Sequence, residues 1–213
     1  MEILKINLRH FFWLPFGSAC GILFVTLFIF PVSALKGAEV GKTFEMFFPF
    51  VGAAMLTPVF LPEQDDSIRD VIASKKKSCS VVYAVRLLYS VCALAALTLL
   101  LTAILYLNEC EVHWFHLYGG FASAFFLGSI GFTVSGIGGN AVMGYMADVV
   151  YYLACYGMKK QLGVFWLFRM SAGIKTGKTW LIAGAFLLIG LTFGMRNLRF
   201  RSGGRRGYEK TGR

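Results

Sequence analysis

Charge-free hydrophobic runs alternate with short polar segments along most of the chain. Several of these runs approach or exceed the ~20 residues that a helix needs to cross a bilayer. One run, residues 112–147, is too long for a single span, and the glycine-rich sequence at 135–140 is typical of a turn within it. We therefore predict six membrane-spanning helices. Their bounds are about 11–35, 46–61, 81–107, 116–135, 141–157 and 179–195.

Residues 62–86 form the only long polar segment between two hydrophobic runs. Its acidic residues come first and its lysines last, which favours a helix because this order complements the backbone dipole. Ile68, Val71 and Ile72 recur at spacings of three and four, so they give such a helix one apolar face. We predict a short amphipathic helix at 67–77 that offers this face to a partner.

Three further segments do not fit the pattern of a span. Residues 1–10 alternate basic and apolar positions, which predicts an N-terminal helix lying on the membrane surface. Residues 158–178 place basic residues on both sides of an aromatic centre, so we predict a pair of interfacial half-helices there. Residues 202–213 are predicted to be a basic cytoplasmic tail.

The composition agrees with a polytopic membrane protein. Hydrophobic residues make up 57% of the chain and charged residues only 15%, against about 25% charged in a soluble domain. The net charge of +10 lies in short loops and at the C-terminus, which is typical of the positive-inside pattern and not of nucleic-acid binding. We predict one transmembrane domain, residues 1–201, with both termini cytoplasmic. The cysteines show no paired or metal-ligand spacing.

The sequence from Ala172 to Thr179 loosely matches a phosphate-binding P-loop, with Lys178 in the lysine position. A P-loop follows a buried strand and opens a helix within a parallel sheet. Here Thr179 opens an apolar run of bilayer length, which leaves no room for a sheet. We interpret the match as coincidence and expect no ATP binding by this chain alone.

Asp148 is the only carboxylate well inside a predicted span. One interpretation places it with Tyr145 in a substrate path. The other has it facing a neighbouring helix or a water-filled cavity, satisfied by the hydroxyl of Tyr145, Tyr151 or Tyr152. We favour the second interpretation, because an isolated intramembrane acid does not by itself define a site.

Two polar groupings are weak candidates for chemistry. His113 and His116 have a spacing that zinc could use, but we identify no further ligands, and an interfacial position beside Trp114 fits better. Ser135 lies in a glycine-rich turn with no base assigned to it. We predict no metal site and no enzymatic activity.

Small-residue spacings occur in two of the predicted spans. Gly17 and Gly21 lie four residues apart in the first span, and Gly190 and Gly194 in the last. Such spacing allows two helices to approach closely, although glycines on a lipid-facing helix would look the same.

The order of these features resembles the membrane subunit of the type 2 ABC transporter family. The local likeness is Pro62-Glu63, then residues 68–74, then residues 83–86 leading into the third span. The resemblance carries over Glu63 and Arg86. The glycine-rich segment usual in the family is replaced here by residues 65–67, so the start of the short helix differs.

The resemblance implies a permease subunit that pairs with a second copy or a sister subunit and with a separate ATPase, which would bind the ATP. The 67–77 helix would then be a cytoplasmic coupling helix, and 158–178 would be outer re-entrant half-helices. The candidate ATPase-coupling residues are Glu63, Ile68, Arg69, Val71, Ile72 and Arg86. The aromatic content of 16% suits an amphiphilic or peptide-like cargo, whose export is favoured, and suits lipid contact equally well. The alternative is a non-transporting immunity or sensor subunit that binds a partner.

Overall fold

The computed structural model describes residues 13–30, 35–64, 79–158, 161–174 and 177–210. All regular secondary structure within these ranges is helical, which confirms the predicted all-α class for the described residues. The α-helices are α1 (Trp13–Ile29), α2 (Gly37–Met46), α3 (Pro49–Leu56), α4 (Cys79–Leu107), α5 (Trp114–Gly138), α6 (Ala141–Gly157) and α7 (Lys178–Lys210). The same ranges contain 3₁₀ helices at Thr57–Gln64, Gly163–Phe165 and Leu167–Arg169.

Four helical runs among the described residues are long and apolar enough to cross a membrane. They are Gly37–Leu61, Val81–Leu107, Trp114–Gly138 and Lys178–Arg196. By length and composition, these runs make the chain a membrane protein. α1 is a shorter apolar helix of 17 residues, and α6 is also 17 residues long.

The largest departures from the predicted bounds are at α2 and α7. The polar stretch predicted as a turn at 36–45 forms α2, which leads through residues 47–48 into α3 and extends the second run to its full length. This stretch can be helical because Glu45, its most deeply placed charge, is paired inside the protein. α7 continues beyond 195 to Lys210.

The predicted turn between the fourth and fifth spans lies at residues 139–140. Gly139 ends α5 with a left-handed backbone (φ 69°), a conformation that glycine adopts without steric cost. Asn140 starts α6, since its side-chain oxygen accepts a hydrogen bond from the backbone N–H of Val142 at 2.8 Å. α6 therefore begins where the sequence predicted it.

α5 is the central helix and packs against α3, α6 and α7. Its contact with α3 depends on glycines at the crossing point. A Cβ atom on Gly52 would overlap the carbonyl group of Ala124, and one on Gly128 would overlap the carbonyl group of Gly52. The two backbones therefore touch directly, as small residues allow in membrane helices.

The glycines with the predicted close-packing spacing are not the ones that pack. A Cβ atom on Gly17, Gly21, Gly190 or Gly194 would have no neighbour within 4 Å among the described residues. α1 instead exposes large apolar side chains such as Phe24 and Phe28. Because they contact no other described helix, these glycines agree with the alternative of a lipid-facing helix.

We predict that Gly52→Ala destabilises the protein by about 1–3 kcal/mol, because the added methyl group has to push α3 away from α5. The matched control is Gly21→Ala, which adds the same methyl group where nothing lies nearby and should be neutral or slightly stabilising. Thermal unfolding in mild detergent measures both. Equal unfolding midpoints for the two variants would contradict the close contact.

Candidate functional site

A buried ion pair joins two elements that are far apart in sequence. Glu45 of α2 and Lys178 at the start of α7 are almost fully buried, and Nζ of Lys178 lies 2.6 Å from Oε1 of Glu45. Lys178 also donates to the hydroxyl of Ser123 on α5 and to the carbonyl oxygen of Leu167, each at 2.6 Å. All three ammonium hydrogens thus have an acceptor.

The carboxylate of Glu45 is equally well satisfied. Its two oxygens accept hydrogen bonds from the backbone N–H groups of Met170 and Ser171, both at 2.8 Å. Removing two charges from water is costly unless each is paired and hydrogen-bonded. Because every bond is made here, the pair ties α2, α5, α7 and the segment 161–174 into one unit.

Segment 161–174 is made of turns and two short 3₁₀ helices, of which the first lies against α7 and the second against α2 and α6. The indole N–H of Trp166 donates to the carbonyl oxygen of Cys155 at 2.9 Å. The hydroxyl of Tyr151 donates to the carbonyl oxygen of Phe165 at 2.7 Å. The segment is therefore anchored at several points, and 3₁₀ turns take the place of the two half-helices predicted over 158–178.

The residues that immediately precede α5, 110–113, lie at the same end of the bundle. The N–H of Glu111 donates to the carbonyl oxygen of Leu35 at 3.1 Å, and Nε2 of His116 lies 3.0 Å from the carbonyl oxygen of Gly37. We call residues 35–46, 110–116 and 161–174 together the Glu45 end.

His116 has no ring nitrogen to offer to a metal. Its Nδ1 accepts from the backbone N–H of His113 at 3.1 Å, so its proton is on Nε2, which donates to Gly37. No cluster of three or more His, Cys, Asp or Glu residues that could hold a metal ion occurs in the described part of the chain. The histidine pair serves to fix the start of α5.

The opposite end of the bundle is organised by two arginines. The guanidinium of Arg196 lies 4.3 Å from the ring centre of Phe60 and donates to the hydroxyl of Tyr83 at 3.1 Å. It also donates to the carbonyl oxygen of Gly136 at 3.4 Å. Arg86 donates to the carbonyl oxygen of Val59 at 3.3 Å. We call residues 57–64, 83–86, 136 and 196 together the Arg196 end.

Lys178, the lysine of the loose P-loop match, is fully used by Glu45, Ser123 and Leu167. It opens a helix of the bundle, and no strand precedes it among the described residues. Phosphate binding by this lysine would require it to abandon a buried carboxylate. Part of the match, residues 175–176, lies outside the described residues.

Asp148 points into the bundle and is only 1% exposed. Its Oδ2 accepts a hydrogen bond from the hydroxyl of Thr57 at 2.8 Å, and its Oδ1 has no hydrogen-bond partner among the described residues. Tyr151 and Tyr152 donate elsewhere, to the carbonyl oxygens of Phe165 and Met46. The carboxyl group thus faces neighbouring helices, but its partner is a threonine and not a tyrosine.

Two other predicted residues lie near Asp148. Tyr145, one turn before it on α6, is 39% exposed. The hydroxyl of Ser135 donates to the carbonyl oxygens of Thr57 and Phe132, at 3.1 and 3.0 Å, which gives this serine a packing role between α5 and the 3₁₀ helix.

Most of the predicted ATPase-coupling residues lie outside the described part. These are Ile68, Arg69, Val71 and Ile72, the whole predicted helix 67–77, and the side chain of Glu63. The predicted interfacial helix 1–10 is also outside it. Arg86 is described, at the Arg196 end.

Sequence reasoning missed Glu45 as a partner of Lys178, and it missed Arg196. The available signal was the position of each charge. Glu45 and Lys178 lie at the edges of two predicted spans, and in a six-span chain with both termini cytoplasmic these two edges fall on the same side. Opposite charges at the same predicted level of two helices are candidates for pairing.

Comparison with known proteins identifies no relative: no family model, no curated protein and no solved structure matches the chain.

We predict that Glu45→Gln and Lys178→Met each destabilise the protein by about 3–5 kcal/mol, because each leaves one buried charge uncompensated. The double variant should lose less stability than the sum of the two single losses, because it removes both charges together. The free energy of unfolding in mixed detergent measures this coupling.

The control for this cycle is Glu39→Gln, which removes an exposed carboxylate from the same helix. It should change stability by no more than about 0.5 kcal/mol. Additive losses in the double variant, or single losses no larger than that of the control, would show that the pair is not coupled.

Proposed function

We propose that this chain is the membrane-spanning permease subunit of an ATP-driven ABC transporter. Its six spans are α1, the run from α2 to the following 3₁₀ helix, α4, α5, α6 and α7. α1 and α6, at 17 residues, would span about 26 Å against a hydrocarbon core of about 30 Å. Local thinning of the bilayer accommodates a mismatch of that size at modest cost.

The observation that carries the proposal is the division of the loops between two ends of the bundle. The Glu45 end gathers residues 35–46, 110–116 and 161–174, while the Arg196 end gathers the residues on both sides of the 65–78 loop. His116 and Gly136, at the two ends of α5, are about 30 Å apart by helical rise. This spacing fits opposite faces of a membrane, with the short 3₁₀ pair on one face and the 65–78 loop on the other.

The contacts at the Arg196 end supply a route for coupling. Segment 65–78 is flanked by the 3₁₀ helix Thr57–Gln64 and by α4. Arg86 joins these two elements, and Arg196 joins both of them to α7 through Phe60 and Tyr83. A displacement of the loop by a partner would therefore move the 3₁₀ helix, α4 and α7 together.

A separate ATPase binds and hydrolyses ATP, and the apolar face of the 67–77 helix docks in a groove on it. Two membrane subunits, identical or sister chains, enclose the path of an amphiphilic or peptide-like cargo, which is exported. Both termini and the 65–78 loop face the cytoplasm of the cell.

The second candidate is an immunity or sensor subunit that binds a partner without transport. The closed environment of Asp148 favours it, because this candidate path residue is only 1% exposed and faces Thr57. In that case Asp148→Asn would leave every cellular phenotype of the protein unchanged.

We predict that Ile68→Asp/Val71→Asp removes a co-purifying ATPase, because two carboxylates on the docking face cannot enter an apolar groove unpaired. The measurement is affinity purification in mild detergent from the native host, with mass spectrometry of the bound proteins. The wild-type chain should carry an ATP-binding subunit in equal amount, and the double variant should lose most of it.

The matched control is Ala73→Asp/Lys77→Gln, which changes the charge of the loop by the same amount on the opposite face of the predicted helix. It should retain the ATPase. A wild-type chain that purifies without any ATP-binding protein would reject the permease and favour the immunity or sensor subunit.

A further inference from the structure

A cleft of about 400 Å³ lies at the Glu45 end, outside the ion pair already described. α2, α6 and segment 161–174 form its walls, which include Met46, Tyr156, Trp166 and Phe168. The rings hold one another in place, since Phe168 makes edge-to-face contacts with Tyr156 and with Trp166. The cleft is thus a preformed recess, with aromatic rings and some polar groups in its lining, that opens to the surface.

Among the described residues, one cation stands at the rim of this cleft. Lys42 lines it and is exposed, and it forms no ion pair with any described residue. Lys42 lies one turn before Met46 on α2, so the charge is on the side of the cleft nearer the start of that helix. An anionic group at the rim would pair with this ammonium group.

An exposed apolar stripe leads away from the cleft along α6. Its residues recur at spacings of three and four, and each side chain is between 43% and 66% exposed. They are Tyr156, Leu153, Val149, Met146 and Val142. From Tyr156 to Val142 the stripe is about 21 Å long by helical rise. One leaflet is about half of a ~30 Å hydrocarbon core, so the stripe is long enough for an extended acyl chain to lie along it within that leaflet.

We propose that this cleft and stripe form a binding site for one anionic phospholipid. The phosphate headgroup pairs with Lys42 at the rim, the upper part of the acyl chain lies against Tyr156 and Phe168, and the remainder follows α6. Charge complementarity at one end and apolar continuity at the other select this ligand over a zwitterionic lipid, whose own cation would be held beside Lys42. The site requires only that the bundle lies in a membrane, and it does not depend on transport.

The test uses Trp166 as a reporter, because it lines the cleft. The other tryptophans, at 13, 114 and 180, are exposed and can be replaced by phenylalanine. The full-length chain is reconstituted in phosphatidylcholine vesicles that contain increasing amounts of brominated phosphatidylglycerol or brominated phosphatidylcholine. Bromine quenches the indole only in contact, so quenching reports occupancy. The anionic lipid should quench at about fivefold lower mole fraction, the effect expected of one lysine at an anionic surface.

Lys42→Gln should abolish that fivefold preference, and Lys42→Arg should keep it. The matched control is Lys36→Gln, which removes an exposed charge just before α2 that does not line the cleft, and which should leave the preference unchanged. Circular dichroism verifies that each variant is folded.

Three results would overturn the assignment. Equal quenching by the two lipids would show that the cleft does not select an anion. Equal loss of preference in Lys42→Gln and Lys36→Gln would assign the effect to general surface charge. Relief of the quenching by inorganic phosphate at constant ionic strength would show that the site takes a soluble anion and not a lipid.

Discussion

The ion pair between Glu45 and Lys178 is the interaction on which the arrangement of this bundle depends. Two charges in an apolar interior are tolerated only when every hydrogen bond is made, and here the bonds come from four different elements. Moving any one of these elements would leave a charged or polar group unsatisfied. The pair therefore sets the position of segment 161–174 as well as that of α2 against α7.

The remainder of the structure follows from α5, which passes through the centre. Its small residues let α3 approach to backbone contact at Gly52 and Gly128. Its N-terminal end is held by His116 and its C-terminal end by Arg196 through Gly136. A helix held firmly at both of its ends can carry a displacement from one face of the membrane to the other. That mechanical property is what the proposed permease needs, since the partner would act at the Arg196 end and the cargo would leave at the Glu45 end.

Local signals in the sequence predicted the parts of the fold that local chemistry determines. The break between α5 and α6 could be predicted because Gly139 takes the left-handed conformation and Asn140 caps the next helix. The helix α2 could not be predicted in this way, because its helicity depends on burial of Glu45 against residues more than a hundred positions away. The same is true of the packing glycines. The spacing singled out four glycines that have no neighbour and missed Gly52 and Gly128, because the partner helix decides where the contact forms.

The residues of the candidate site show the same difference between what local sequence indicates and what contacts between distant segments decide. Arg86 was carried over by the family resemblance, and it lies near the start of α4, where it donates to the carbonyl oxygen of Val59. Asp148 was singled out from its isolation, but its partner Thr57 lies in another element, and no spacing in the sequence points to it. Contacts between distant segments need the whole fold, so a single sequence identifies such residues without identifying their partners.

The central claim is that the two ends of the bundle face opposite sides of a membrane, and thiol labelling in sealed cells tests it most directly. Single cysteines would be placed at Ile174, which is exposed at the Glu45 end, and at Lys76, in the 65–78 loop, in a background without the native cysteines. A membrane-impermeant maleimide should label the cysteine at 174 in intact cells and the cysteine at 76 only after permeabilisation. Labelling of both positions from the same side would contradict the account.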